Sequence, residues 1–266
     1  MTPLPRLMVA PNGARHGKAH HAALPITLDE TIETACACHA AGADGLHLHL
    51  RDADGGHLLD AGCYRDALAA LAERAPGLAV QITTEAAGKY APAQQQAVAL
   101  EAGAALVSIS VREIRTETTA EAARDFYETC AERAIAVQHI LFDVSDFGLL
   151  RDTLGAQMLH DPTLQLIFVL GRYSETREST PLDLVPFLEA MSAQEMMPDW
   201  ALCAFGRAET DCLIAAHRAG GKLRVGFENN LLMRDGSIAA DNAARVAEVA
   251  RLVALRGAGA TDVPRA

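Results

Sequence analysis

Aromatic residues are scarce, at 5% of the 266-residue chain, with a single tryptophan. A core with so few rings must be built from aliphatic side chains. Ala, Leu and Val are abundant, which suits helices packed on a parallel sheet. Positive charge is also in deficit: 23 Lys and Arg stand against 34 Asp and Glu, a formal net charge of −11. That balance argues against a nucleic-acid partner, although arginines gathered in one place can still hold a small anion. Six cysteines, Cys36, Cys38, Cys63, Cys130, Cys203 and Cys212, include no C-x-x-C pair. All six read as reduced, mostly buried thiols of a cytosolic protein. No apolar run approaches the ~20 residues of a membrane span, and the opening residues, broken by Pro3 and Pro5, contain no apolar signal segment. The expectation is a soluble, cytoplasmic chain with no membrane contact.

What is present is regular alternation. Short apolar stretches are predicted as strands at Arg6–Pro11, Gly45–Asp52, Ala79–Glu85, Leu106–Arg112, Ile135–Asp143, Leu164–Leu170, Trp200–Phe205 and Lys222–Glu228. Helical patterns lie between and after them, at Thr27–Ala41, Ala61–Ala75, Pro92–Ala102, Thr118–Arg133, Asp146–Gln157, Pro181–Ala193, Ala208–Arg218 and Asn242–Leu255. Thr27 with Glu30 three residues on forms a capping box at the first helix. Strict β-α alternation implies a parallel sheet. Eight such units in about 260 residues, with no linker between them, match one (β/α)8 TIM-barrel domain over 1–266. A doubly wound sheet would call for a Gly-rich loop after the first strand, and Pro11-Asn12-Gly13-Ala14-Arg15 does not supply G-x-G-x-x-G. The polar loop from Ala14 to His21 holds three histidines, more readily solvated residues or a lid than a metal site.

The second strand, Gly45-Leu46-His47-Leu48-His49-Leu50-Arg51-Asp52, is the most informative stretch. Its period of two turns Leu46, Leu48 and Leu50 one way and His47, His49 and Arg51 the other. Two imidazoles at i and i+2 stand side by side, where one metal ion can bridge them. Barrel active sites lie at the C-terminal ends of the strands. Those ends supply Thr83 and Glu85 from strand three, Ser108, Ser110 and Arg112 from strand four, and Arg224, Gly226 and Glu228 from strand eight, followed by Asn229. Closure pairs strand eight with strand one, so Glu228 can reach a metal held by His47 and His49. Two histidines, a carboxylate and an open position make a catalytic zinc site, and another divalent ion could occupy it.

Asn12-Gly13-Ala14, Leu24-Pro25-Ile26-Thr27, Ala41-Gly42-Ala43, the His47–Asp52 strand and Arg224-Val225-Gly226-Phe227-Glu228-Asn229 together resemble the β-keto acid cleavage enzymes, nearly end to end and in order. The resemblance implies a TIM barrel, usually oligomeric (a homodimer or homotetramer), with zinc on His47, His49 and Glu228. It implies acetyl-CoA as co-substrate and the conversion of a β-keto acid to acetoacetate and a new acyl-CoA. Arg224 takes the substrate-orienting role, Thr83 and Ser108 the small hydroxyl positions, and Ser110 stands in place of the amide usually found there. Arg51 and Asn12 are expected to bind substrate as well. Departures from the family pattern stand at Arg15, where an acid is usual, at Thr83-Thr84-Glu85-Ala86, where Ser-Thr-Gly-Gly is usual, and at Asn229, where the family has the aspartate thought to be its base. This is then a divergent branch, and Glu85 is the replacement base the sequence offers. Arg112, Arg172 and Arg207 are expected to meet the CoA phosphates. The alternative is a zinc-dependent hydrolase or lyase acting on a small carboxylate; against the hydrolase, its H-x-H would sit on strand one, with further histidines on strands five and six, and here only His139 on strand five is available.

Overall fold

The computed structural model describes residues 2–257 apart from 175 and 177. Eight strands form a closed parallel barrel: β1 (Leu7–Val9), β2 (Gly45–Leu48), β3 (Ala79–Thr83), β4 (Leu106–Ser110), β5 (Ala136–Leu141), β6 (Gln165–Leu170), β7 (Asp199–Ala204) and β8 (Lys222–Val225). Each strand pairs with the next, and β8 closes on β1 through Leu7↔Leu223, Met8↔Arg224 and Val9↔Val225. Helices follow the strands and cover the outside, so the fold is a (β/α)8 TIM barrel.

Alternation within each strand divides the core into two layers. Val9, Leu46, Leu48, Ile82, Val107, Ile109, Phe168, Leu202 and Val225 belong to the large cluster shared with the helices. Met8, Leu106, Ala136, Ile167, Val169, Ala201 and Cys203 form a smaller cluster inside the barrel. The few aromatics are concentrated rather than scattered: Phe168 packs on Phe187 at 4.8 Å and on Trp200 at 5.4 Å between ring centroids. Each such buried side chain contributes about 1.5–3 kcal/mol, enough for an aliphatic barrel to close without many rings. The cysteines are all free thiols, and four are buried.

The capping box forms as read: Thr27 accepts from the Glu30 amide, and the Glu30 carboxylate accepts from the Thr27 amide. Four expectations need correction. The second strand does not run unbroken to Asp52. Its ladder ends at Leu48, and Leu50–Arg51 turns out to pair antiparallel with His57–Leu58 across the Asp52–Gly56 turn. Strand eight stops at Val225, because Gly226 takes φ 147°, a conformation that favours glycine. A Cβ there would fall 2.3 Å from the Ala10 carbonyl oxygen, so only glycine lets the chain leave the ladder at this point. Arg112 is not at a strand end; it lies in a short helix, Val111–Ile114, which Ser110 caps by accepting from the Glu113 amide. Pro181–Leu184 is a 3-10 turn leading into the helix Val185–Ala193.

Candidate metal centre and active site

The turn at Gly226 sets the position of Glu228. Its amide donates to Ala10 O, and Phe227 is buried beneath it. The carboxylate arm then swings over the barrel mouth against Gly13, where φ is 59° and an added Cβ would lie 2.5 Å from Glu228 Cγ. Opposite stand His47 and His49. Their Nε2 atoms are 3.1 Å apart, and Glu228 oxygens lie 3.8 and 3.6 Å from them. All three ligand atoms fall within 4.8 Å of one another.

These residues fit a divalent cation on four grounds. Nitrogen atoms 3.1 Å apart suit two ligands of one ion whose bonds are about 2.0–2.1 Å. His47 Nδ1 is engaged with Gln81 Oε1 at 2.8 Å, which leaves Nε2 to the cluster. Glu228 Oε2 is buried with no hydrogen-bond partner. Finally, the protonation states are those of ligands. Burial, reinforced by Arg224, lowers the His47 pKa to about 4, and burial with the neighbouring His47 lowers His49 well below its ordinary value. Burial alone would raise Glu228, but the neighbouring positive charge, Arg224 foremost and Arg172 with it, outweighs it and holds its pKa below the usual value. Two neutral imidazoles and an ionised carboxylate result.

Around this cluster is a cleft of about 440 Å³ lined by His47, His49, Thr83, Glu85, Ser110, Glu113, Arg172, Arg224 and Glu228, with an apolar wall that includes Ile140, Phe142 and Val169. Arg224 lies buried there. One guanidinium nitrogen contacts Cys203 Sγ at 3.2 Å, while Nε and Nη1 have no partner. Buried donors without partners are costly unless a ligand meets them. Glu85 shares the cleft. Burial and the repulsion of Glu228 raise its pKa to about 7, although Arg172 at 2.9 Å, and Arg15 at 4.0 Å, pull the other way. A second cleft of about 710 Å³, lined by Asn12, Gly13, Arg15, His16, Asn229 and others, adjoins it and shares Arg172, Phe205 and Glu228.

The expected residues are thus brought together unequally. His47, His49, Glu228, Arg224, Glu85, Thr83 and Ser110 meet in one cleft, while Asn12 and Asn229 face the second. Ser108 is sealed in the barrel wall two residues below Ser110, outside both clefts. Arg51 does not reach either: its guanidinium donates to the backbone carbonyls of Asn12, Gly13, His16 and Gly55 and ties the first loop to the hairpin. Its inward direction is lost where the strand breaks at His49. Asn229 directs its amide nitrogen to Glu209 Oε1 at 3.2 Å and Arg224 O at 3.4 Å.

Of the arginines expected at CoA phosphates, Arg112 is paired with Asp146 at 2.6 Å and Arg172 with Glu85. Arg207 stands beside Glu178, whose carboxylate its backbone amide meets. Sequence reasoning missed four side chains: Arg172, as the partner of Glu85; Glu113, bonded to the Ala86 amide and Gln95; His57, whose ring packs 5.3 Å from His49; and Gln81. For Gln81 the signal was available, since it shares the period-two face of Thr83. In the first loop, His16 and His21 hydrogen-bond to the Phe227 and Ala239 carbonyls instead of forming a metal cluster.

The family model of the beta-keto acid cleavage enzymes matches residues 6–264. The chain belongs to that family. It is an enzyme of the beta-keto acid cleavage type. It is 26% identical over 250 residues to the 3-keto-5-aminohexanoate cleavage enzyme of Fusobacterium nucleatum subsp. nucleatum, covering 90% of this chain and 88% of that protein. It is 24% identical over 254 residues to the 3-oxoadipate:acetyl-CoA acetyltransferase of Cupriavidus necator, covering 92% and 87%. Among solved structures it resembles apo ObcA, with a TM-score of 0.68 at 16% identity over 88% of this chain. The chain spans 62% of ObcA's length, and the likeness is one of fold. Among the described residues no helix is long and apolar enough to cross a membrane.

Proposed function

We propose that this enzyme uses zinc or another divalent ion on His47, His49 and Glu228 to convert a β-keto acid and acetyl-CoA into acetoacetate and the corresponding acyl-CoA. The observation that carries this reading is the pairing of the metal cluster with Arg224, which lines the same cleft and whose buried Nε and Nη1 have no partner. A planar guanidinium with two donors to spare suits a carboxylate. Bound there, the metal would supply Lewis acidity toward the keto oxygen.

The chain's own residues account for the remaining steps. Arg224 holds the substrate carboxylate at the bottom of the cleft. Glu85, with a pKa of about 7, accepts a proton from the carbon between the two carbonyl groups. That carbon attacks the acetyl thioester, and CoA departs as the thiolate. The thiolate then attacks the original keto carbon, the bond to the acetylated carbon breaks, and acyl-CoA forms. Glu85 returns its proton to the departing acetoacetate carbon. Arg172 keeps Glu85 in place and limits the rise of its pKa. The apolar wall of Ile140, Phe142 and Val169 shields this carbon chemistry from water. His139, the histidine a hydrolase would need from strand five, is instead buried outside both clefts beside Tyr127, at 4.8 Å between ring centroids, which weighs against metal-assisted hydrolysis.

The test is a panel of β-keto acids with acetyl-CoA, read for acetoacetate and acyl-CoA together with the metal content of the purified protein. Equal amounts of both products, abolished by a chelator and restored by a divalent ion, are expected. Absence of a stoichiometric metal, or unchanged metal content after combining His47→Ala with His49→Ala, would sink the metal assignment. Release of free CoA without acyl-CoA would replace acyl transfer by hydrolysis.

A further inference from the structure

Inside the barrel, among Met8, Leu106, Ala136 and Ile167, two glutamines are buried almost completely, Gln81 on β3 and Gln138 on β5. They form a chain of hydrogen bonds from one side of the barrel to the other. Gln138 Nε2 donates to Leu166 O at 3.2 Å, Gln81 Nε2 donates to Gln138 Oε1 at 2.9 Å, and Gln81 Oε1 meets His47 Nδ1 at 2.8 Å. We propose that Gln81 and Gln138 are positioning residues that hold His47 in the tautomer protonated on Nδ1, so that Nε2 stays available to a metal ion. The purpose rests on the metal-centre reading; the tautomer is a property of the metal-free chain.

The direction of the chain is fixed at its far end. A backbone carbonyl can only accept, so Gln138 must turn its NH₂ toward Leu166 O. Its oxygen then faces Gln81. That oxygen also only accepts, so Gln81 must present its NH₂ there and its own oxygen to His47. An imidazole nitrogen facing an amide oxygen must carry a proton to make a hydrogen bond. A neutral ring has one such proton, so Nε2 is left bare. Three consecutive bonds therefore transmit the polarity of one peptide carbonyl on β6 to a ring nitrogen on β2. Reversing either amide would set two acceptors against each other in an apolar interior, a costly arrangement.

A packing role alone explains these residues poorly. Burying two primary amides is unfavourable unless they are bonded, and aliphatic side chains would fill the same layer as Met8 and Ile167 do. His49 supplies the contrast. Its Nδ1 is buried without a partner, so no amide behind the ring sets its tautomer, and in the metal-free chain its Nε2 is left to donate to the bare His47 Nε2 atom 3.1 Å away. His47 is the ligand whose state is set in advance.

The experiment uses metal-stripped, ¹⁵N-histidine-labelled protein and long-range ¹H–¹⁵N correlation, with His47 assigned through His47→Ala. Metal affinity is measured separately by competition with a chromophoric chelator. His47 is expected to show the Nδ1-protonated pattern. Gln81→Leu should lose that pattern and weaken metal binding about tenfold to a hundredfold. Gln81→Glu, held neutral by burial, can donate its O–H to Gln138 Oε1 while keeping an acceptor against the ring, and should retain both. Gln138→Leu, which frees the Gln81 amide to turn, should fall between. An Nε2-protonated His47 in the wild type would overturn the proposal, as would Gln81→Leu with an unchanged pattern and affinity. Should Gln81→Leu fail to fold, loss of the pattern in Gln81→Glu, or its full retention in Gln138→Leu, overturns it equally. A wild type that binds no metal defeats the metal-centre reading and leaves the tautomer to be decided by the spectra.

Discussion

Among the described residues two arginines are sealed from water, and the protein completes only one of them. Arg245, on the helix Asn242–Gly257, sends Nη2 to Glu209 Oε2 at 2.7 Å and Thr210 Oγ1 at 3.0 Å, and Nη1 to Glu248, with only Nε left over. Arg224, on β8, has one weak contact with a thiol and two nitrogens without partners. Both are nearly inaccessible to water. A buried guanidinium matched by carboxylates has a structural task that ends within the protein. One that lines a cleft with His47, His49 and Glu228 and keeps Nε and Nη1 without partners is free to receive an anion, the role proposed for it with the substrate carboxylate. The same contrast separates the buried acids. Burial raises the pKa of both and each has an arginine partner, but Glu209 is further met by Asn229 and Gly226 away from the cleft, whereas Glu85 lines the cleft beside a second carboxylate, Glu228.

The largest effects should come from removing the two arginines, and they should fall on different observables. Arg245→Met strands Glu209 and Glu248 without their counter-charge, a change that costs about 3–5 kcal/mol. For a chain of this size that is on the order of 10 °C in melting temperature. Arg224→Lys keeps a charge but loses the planar fork. It should lower kcat/KM roughly 10²–10³-fold, as expected for truncating one side of a buried charged pair, with a melting temperature within a few degrees of wild type. The comparison breaks if Arg224→Lys unfolds the protein, or if Arg245→Met is as stable as the parent.

Glu85→Gln comes next. It keeps the shape and removes the proposed base, so the rate should fall by about 10²–10⁴ with metal content unchanged. In the parent, activity should climb as pH rises through about 7, the pKa of Glu85, and the variant should lack that limb. Stability moves the opposite way. The folded chain holds the Glu85 proton more tightly than the unfolded chain does, so this group's contribution is present below pH 4.5 and is lost as pH rises through about 7. Glu85→Gln should flatten that part of the stability profile in denaturant melts. A rate loss of tenfold or less, or an unchanged pH profile, removes Glu85 as the base.

The unequal legibility of the site has a physical cause. Period two placed His47, Thr83, Ser110 and Arg224 on the inner face, because the ladder fixes side-chain direction wherever it continues. Barrel closure then put Glu228 beside the histidines despite the break at Gly226. Direction failed where the ladder failed. Arg51, two residues past His49, falls on an inward position by period and instead ties loops together, because the chain leaves β2 to form a hairpin. Arg172, the partner of Glu85, lies beyond the end of β6, where periodicity says nothing about what a side chain will reach. The Gln81–Gln138 chain was in principle readable, since both residues fall on inward positions. Its meaning depends on which amide atom faces which neighbour, and that is a matter of three dimensions.

The smallest effect concerns Asn229, which touches both halves of the comparison. Its Nδ2 donates to Glu209, inside the completed network, and its Oδ1 is buried at the second cleft with no partner. Asn229→Asp would restore the acid that the family resemblance places here, and on sequence grounds it should improve the enzyme. The geometry argues otherwise. A carboxylate in this position lies against Glu209 Oε1, 3.2 Å from the present amide nitrogen. Two acids so close share a proton, and the pKa of the pair rises. Where both are ionised the donor to Glu209 is lost as well, at a cost of about 1–3 kcal/mol. Asn229→Asp should therefore melt a few degrees lower and change kcat/KM by less than about tenfold, about 1.4 kcal/mol of barrier, because Glu85, the proposed base, is left untouched. Combining it with Glu85→Gln sharpens the test. If the new aspartate restores the rate of Glu85→Gln to within tenfold of the parent, the position can carry the proton after all, and Asn229 marks a base that moved rather than a site that lost one.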